Sequence, residues 1–322
     1  MSQGLTNTVD GLCQLAYIFP GQGSQSVGMG KDLYEAFPSA KRAFDVADDV
    51  VGFSLSRLCF QGSEEELRQT INAQPAILTM SYACLQAARE AGCVPPDVRP
   101  AFVAGHSLGE YTALLAADML DFADAVHLVH QRGRLMQEAG VKSPGGMVAV
   151  IGLDRAAVEE VCRTVNVEIA NINSPGQIVI SGLKEAVQRA VELVRHKGAK
   201  QGIVLNVSGA FHSVAMQSAA QELKALIEAT PFREPRVPVV SNVTAQPILR
   251  AEEAKALLVK QLYSPVHWQQ SVEYMISWGV SLFLELGPGK VLSGLIKRIN
   301  GEVAVMNISD VDSLQKVCLR GR

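Results

Sequence analysis

No lysine or arginine occurs before Lys31, and the longest early apolar run, Leu15 to Phe19, is far too short to cross a bilayer. A basic secretory leader and an arginine-rich transit peptide are therefore not expected, and residues 1–13 read as a loose leader. Charge is sparse and nearly balanced: charged residues are 19% of 322 and the net charge is −3, which argues against a nucleic-acid binder working by bulk electrostatics. The six cysteines, at 13, 59, 84, 93, 162 and 318, have neither metal-ligand spacing nor a dense framework. They read as reduced thiols of a cytoplasmic protein with no membrane insertion. No internal repeat and no low-complexity segment is visible.

Apolar residues, by contrast, reach 48%, enough for one large domain or a large domain with a smaller one. Short apolar runs alternate with helix-prone stretches. Leu15–Phe19 reads as a strand closed by Pro20-Gly21-Gln22-Gly23. Ser63-Glu64-Glu65-Glu66 reads as a capping box. Pro75 suits the first turn of a helix running to Ala91. Such alternation predicts a parallel sheet covered on both faces. Residues 145–208 differ. Strands at 147–153, 167–172, 177–183 and 202–207, with helices at 155–165 and 185–196, give a βαββαβ order, the ferredoxin-like pattern of a small inserted domain. The large part is then discontinuous, 14–144 and 209–310.

One pentapeptide carries the chemistry. Gly105-His106-Ser107-Leu108-Gly109 follows the apolar run 101–104 and precedes the helix-prone 110–116. A strand, a Gly-x-Ser-x-Gly corner and a helix form a nucleophile elbow. The glycines relieve crowding around a strained serine, whose hydroxyl is held out at a helix N-terminus. A serine needs a base, and histidine suits neutral pH. His106 adjoins the serine on a strand and should point to the other face. His127 and His130 share the polar side of a helix without a completing carboxylate or thiol. His196 lies in a charged helix end, and His267 sits beside Trp268. His212, in Gly209-Ala210-Phe211-His212, falls where the chain re-enters the large domain, a place where clefts form, and is the favoured base.

Arg132 falls inside the apolar arc of its helix, four residues from both Leu128 and Met136. Two readings are open. It forms a structural ion pair with a nearby carboxylate, or it clamps a substrate carboxylate. The glycine-rich stretches 21–28 and 287–290 lack the spacing of a dinucleotide fingerprint or a phosphate loop.

Taken in order, Phe19-Pro20-Gly21-Gln22-Gly23-Ser24-Gln25, Gln74-Pro75-Ala76, Gly105-His106-Ser107-Leu108-Gly109-Glu110-Tyr111, Arg132-Gly133, Asn173-Ser174-Pro175-Gly176-Gln177, Gly209-Ala210-Phe211-His212 and Glu285-Leu286-Gly287-Pro288-Gly289 resemble the malonyl-CoA:acyl-carrier-protein transacylases. The resemblance runs from about Ala16 to Asn300 and leaves the leader, 1–13, and the tail, 311–322, outside. It implies an α/β-hydrolase-like large subdomain with a ferredoxin-like small one. It also implies Ser107 as nucleophile, His212 as base, and the Gln261 backbone carbonyl as the group orienting His212. Gln22 and Leu108 match the oxyanion-hole positions, Arg132 the malonyl-carboxylate clamp, and Phe211 the residue narrowing the acyl pocket. No metal or other cofactor is implied beyond malonyl-CoA and a phosphopantetheinylated carrier protein. The carrier is expected to be acidic, with Lys197, Lys200, Lys297 and Arg298 as candidate contacts. Rival expectations are an acyltransferase serving a polyketide synthase or a malonate decarboxylase, and a serine esterase or thioesterase.

Overall fold

A computed structural model describes residues 14–94 and 99–320; the expected leader, with Cys13, lies outside them. Six strands form the main sheet: β1 (Gln14–Phe19), β2 (Phe102–Gly105), β7 (Val239–Val240), β8 (Pro247–Ile248), β9 (Val280–Leu286) and β10 (Ala304–Ile308). Their order is β10-β9-β1-β2-β7-β8, parallel throughout except for the β7–β8 pair. Each central strand is apolar at consecutive positions because both faces are covered. Tyr17 and Phe19 of β1 point into one core, beneath the helices Thr70–Glu90 and Phe122–Lys142. Ala16 and Ile18 point into the other, against Trp268, Val272 and Leu295. Complete burial of Phe19 and Phe283 contributes roughly 2–3 kcal/mol each.

A second sheet comprises β3 (Gly145–Ile151), β4 (Glu168–Ser174), β5 (Gln177–Leu183) and β6 (Gln201–Val204), in the order β4-β5-β3-β6 and antiparallel. Side-chain alternation gives it two destinations. Val148, Val150, Ile178 and Ile180 pack under the helices Arg155–Val165 and Lys184–His196. Met147, Ala149 and Val179 join the main core instead. A bridge from Asn171 to Val266 adds a backbone link to the larger body.

Three expectations change. Pro75 lies inside a helix that begins at Thr70. That earlier turn is viable because its N–H groups have partners: Ile71 donates to the Gln137 side chain, and Asn72 and Ala73 to the Gln69 carbonyl. The tail is part of the fold. β10 pairs with β9, and the helix Val311–Arg320 follows it, with Leu314 buried in the main core. Cys93 and Cys318, 225 residues apart, are joined in a disulfide, whereas Cys59, Cys84 and Cys162 are free and buried. Spacing along the sequence carries no trace of that pairing, because it depends on the last helix docking beside the end of Thr70–Glu90.

Candidate active site

The parallel strands deliver three loops to one end of the sheet, after Phe19, Gly105 and Val240. Ligand sites of open α/β sheets form at such carboxyl ends. β2 ends at Gly105, and helix Gly109–Ala116 starts after a turn of three residues. Ser107 at the apex has φ +51°, a left-handed conformation costly for a side chain with a Cβ. The flanking glycines permit that bend. A Cβ on Gly105 would sit 1.9 Å from Gly109 backbone atoms, and one on Gly109 would sit 2.1 Å from the Phe19 carbonyl oxygen.

Asn242, just beyond β7, pins the turn from the neighbouring strand. Its Oδ1 accepts from the Ser107 N–H at 2.7 Å, and its Nδ2 donates to the Gly105 carbonyl at 2.6 Å. The Ser107 hydroxyl meets Nε2 of His212 at 2.8 Å, and Nδ1 of His212 meets the Gln261 carbonyl at 2.9 Å. A carbonyl only accepts, so Nδ1 carries the proton and Nε2 offers its lone pair to the serine. Burial, and then the nearby Arg132 charge, push the imidazole down to about 3, so it is neutral at physiological pH.

Arg132 is 1% exposed. Its Nη1 donates to Gln74 Oε1 at 2.8 Å, and its Nη2 donates to Gln261 Oε1 at 2.9 Å and to Ser107 Oγ at 3.2 Å. Its Nε has no partner among the described residues. Every acceptor is an amide or hydroxyl oxygen. The structural ion-pair reading therefore fails, and a buried guanidinium with no carboxylate in direct contact is an expensive feature for a protein to keep.

Ser107, Arg132, Phe211, His212, Gln22 and Leu108 all line one cavity of about 400 Å³. The backbone N–H groups of Gln22 and Leu108 have no hydrogen-bond partner among the described residues. Gln261 does not line the cavity and contributes through its bonds to the histidine, the arginine, the serine and Glu110. Met136, Met147 and Val207 supply apolar wall, and Arg68 supplies a second cation there.

The candidate carrier contacts are elsewhere. Lys197 pairs with Glu160, Lys297 donates to the Val303 and Gly301 carbonyls, and Arg298 donates to Gln177. His106, expected to face away, also lines the cavity and is 2.8 Å from Asn173 Oδ1. Gln74 and Glu110 fall in stretches that carry the resemblance but had no role assigned to them, and Asn242 was not singled out by the sequence. They lie on three separate elements. Glu110 is fully buried, and desolvation raises its carboxyl to about 7 against the pull of Gln261, Asn242 and Arg132. No set of three or more His, Cys, Asp or Glu groups able to hold a metal occurs among the described residues. No described helix is long and apolar enough to cross a membrane.

Fold and site together define an α/β protein with a serine–histidine pair at a strand–turn–helix corner and a buried arginine beside it. The chain belongs to the acyl transferase domain family, whose model matches residues 16–322, the tail included. It is 47% identical over 309 residues to the malonyl CoA-acyl carrier protein transacylase of Bacillus subtilis, covering 94% of this chain and 96% of that one. Its identity to the Escherichia coli K12 protein of the same name is 45%, covering 89% and 93%. Among solved structures, it superposes on a malonyl-transacylase in complex with its type II PKS acyl-carrier protein with a TM-score of 0.91, at 43% identity and 95% and 99% coverage. The acyl-carrier-protein S-malonyltransferase of Bartonella henselae gives a TM-score of 0.92 at 40% identity, with 96% and 99% coverage.

Proposed function

We propose that this chain transfers a malonyl group from malonyl-CoA to the phosphopantetheine thiol of an acyl carrier protein, through a malonyl-serine intermediate. The observation that carries this reading is Arg132: a buried guanidinium with no carboxylate partner, 3.2 Å from the serine oxygen. A plain esterase handling neutral acyl groups would need a greasy surface there. Malonyl-CoA supplies the missing anion with its free carboxylate.

His212 takes the Ser107 proton through Nε2 as the oxygen attacks the thioester carbon. The Gln22 and Leu108 N–H groups receive the developing oxyanion, each worth roughly 3–4 kcal/mol of barrier. CoA leaves as the thiol with the proton returned by His212, whose ring the Gln261 carbonyl orients. The carrier thiol then attacks the malonyl ester, His212 accepting its proton and passing it back to Ser107, in ping-pong order. Phe211 narrows the acyl pocket. No cofactor beyond the two substrates enters these steps. In this reading residues 145–208 are an inserted ferredoxin-like subdomain that lines the cavity through Met147 of β3 and Asn171 of β4. The enzyme works in the cytoplasm, supplying fatty acid synthesis.

The chemistry would also serve a polyketide pathway, and the similar solved complex contains a type II PKS carrier. Incubation with malonyl-CoA, acetyl-CoA and holo carrier protein, followed by intact-mass analysis, tests the proposal. Malonyl-carrier is the expected product. Release of free malonate without carrier loading, or equal acetyl loading, contradicts it.

A further inference from the structure

Glu110 is the second residue of the helix that follows Ser107, and nothing in the transfer steps uses it. Its carboxyl is fully buried and, raised by that burial to about 7, is a carboxylate above that pH; Oε2 accepts from Gln261 Nε2 at 2.5 Å and from the Asn242 N–H at 3.3 Å. The other end of the same Gln261 amide, Oε1, accepts from Arg132 Nη2 at 2.9 Å. One amide therefore stands between a buried anion and a buried cation, its oxygen toward the cation and its nitrogen toward the anion.

That orientation is dictated by charge. A carboxylate only accepts and a guanidinium only donates, so the flipped amide would face donor against donor and acceptor against acceptor. The helix N-terminus beside Glu110 also favours a negative group. Direct contact between Glu110 and Arg132 would complete an ordinary ion pair and occupy the guanidinium. With an amide interposed, Arg132 feels a compensating charge while no carboxylate oxygen occupies its N–H donors. Gln261 also donates from Nε2 to the Ser107 carbonyl at 3.0 Å and accepts from His212 through its own backbone carbonyl. Fixing this one side chain fixes what the serine and the arginine touch, on the residue whose backbone carbonyl holds the histidine.

We propose that Glu110 is the positioning residue of the acyl-carboxylate clamp: relayed through the Gln261 amide, its charge holds Arg132 in register without pairing with it, and so sets the preference for acyl groups bearing a free carboxylate. The proposal rests on Arg132 being that clamp. Glu110→Gln keeps the shape and removes the charge, and its NH2 can donate, so the Gln261 amide loses its fixed sense.

The test measures KM and kcat for malonyl-CoA and acetyl-CoA at about pH 8, where Glu110 is ionised, in the wild type and in Glu110→Gln, with thermal melting to check folding. It adds calorimetric binding of both thioesters to Ser107→Ala and to Ser107→Ala/Glu110→Gln. The expected result is a rise of about tenfold in malonyl-CoA KM and Kd with acetyl-CoA nearly unchanged, the scale of one charge-assisted hydrogen bond. Equal losses for both thioesters, or an intact malonyl preference, overturn the proposal. If Glu110→Gln does not fold, Glu110→Asp carries the test, since a shortened reach should lower the malonyl preference about threefold, and an unchanged preference again overturns it. A wild type that shows no malonyl preference would instead sink the clamp reading itself, which keeps the two failures distinct.

Discussion

Ser107 and His212, 105 residues apart, meet at 2.8 Å with both backbones in the left-handed region, at φ +51° and +57°. Strain of this kind persists only where surrounding contacts over-determine it. For Ser107 the contacts come from Asn242, which accepts from the serine N–H and donates to Gly105. Asn242→Ala should therefore leave the chain folded but about 1–3 kcal/mol less stable, and lower kcat at least tenfold with little change in KM. Thermal melts and steady-state kinetics check this. A parallel rise in KM would show that Asn242 shapes the binding pocket and not the nucleophile.

Arg132→Ala removes the clamp and leaves Gln74 and Gln261 without their donor. Malonyl-CoA KM should rise roughly 30- to 100-fold, the cost of a charged hydrogen-bonded pair, while acylation by acetyl-CoA suffers less. An equal loss for both substrates would make Arg132 a structural residue.

The elbow was legible because steric demands act locally: glycines at 105 and 109 leave their mark within five residues. Arg132 was half legible. Helical periodicity placed it inside, but whether an anion inside the protein met it depended on tertiary contacts. His212 followed from elimination among six histidines and from its place at a domain re-entry. The bracing role of Gln74, Asn242 and Glu110 was not legible, although Gln74 and Glu110 stand in quoted motifs, since each sits on a different element and joins the site only when β7 lies beside β2 and the helix 251–261 ends over the corner. The terminal strand and the Cys93–Cys318 link were missed for the same reason.

The depressed imidazole pKa gives a pH prediction. In the unfolded chain His212 takes a proton as pH falls through 6.5, whereas in the folded state it resists protonation to about 3. Its neutral form therefore supports both activity and stability above 6.5, and the stability share is lost progressively between those values as pH falls. The acylation rate at saturating malonyl-CoA should stay level from pH 7 down to about 5. Rapid-quench measurement of CoA release across that range checks it. An acid limb centred near 6.5 would mean the histidine is more solvated than its contacts indicate.

Phe211 is 5% exposed and lines the cavity. Replacing it with alanine removes a large wall next to the base and should admit methylmalonyl-CoA, raising its relative kcat/KM about tenfold or more. Substrate competition read by mass spectrometry measures the ratio. An unchanged ratio removes Phe211 from the selectivity account.

The central claim is that the hydroxyl at 107 becomes the acyl ester. Brief exposure to malonyl-CoA, acid quench and peptide mapping tests it most directly. A single malonyl group on Ser107, absent from Ser107→Ala and discharged on adding holo carrier protein, is the predicted result. Carrier loading without any enzyme-bound malonyl, or a label mapped to another residue, would contradict the account.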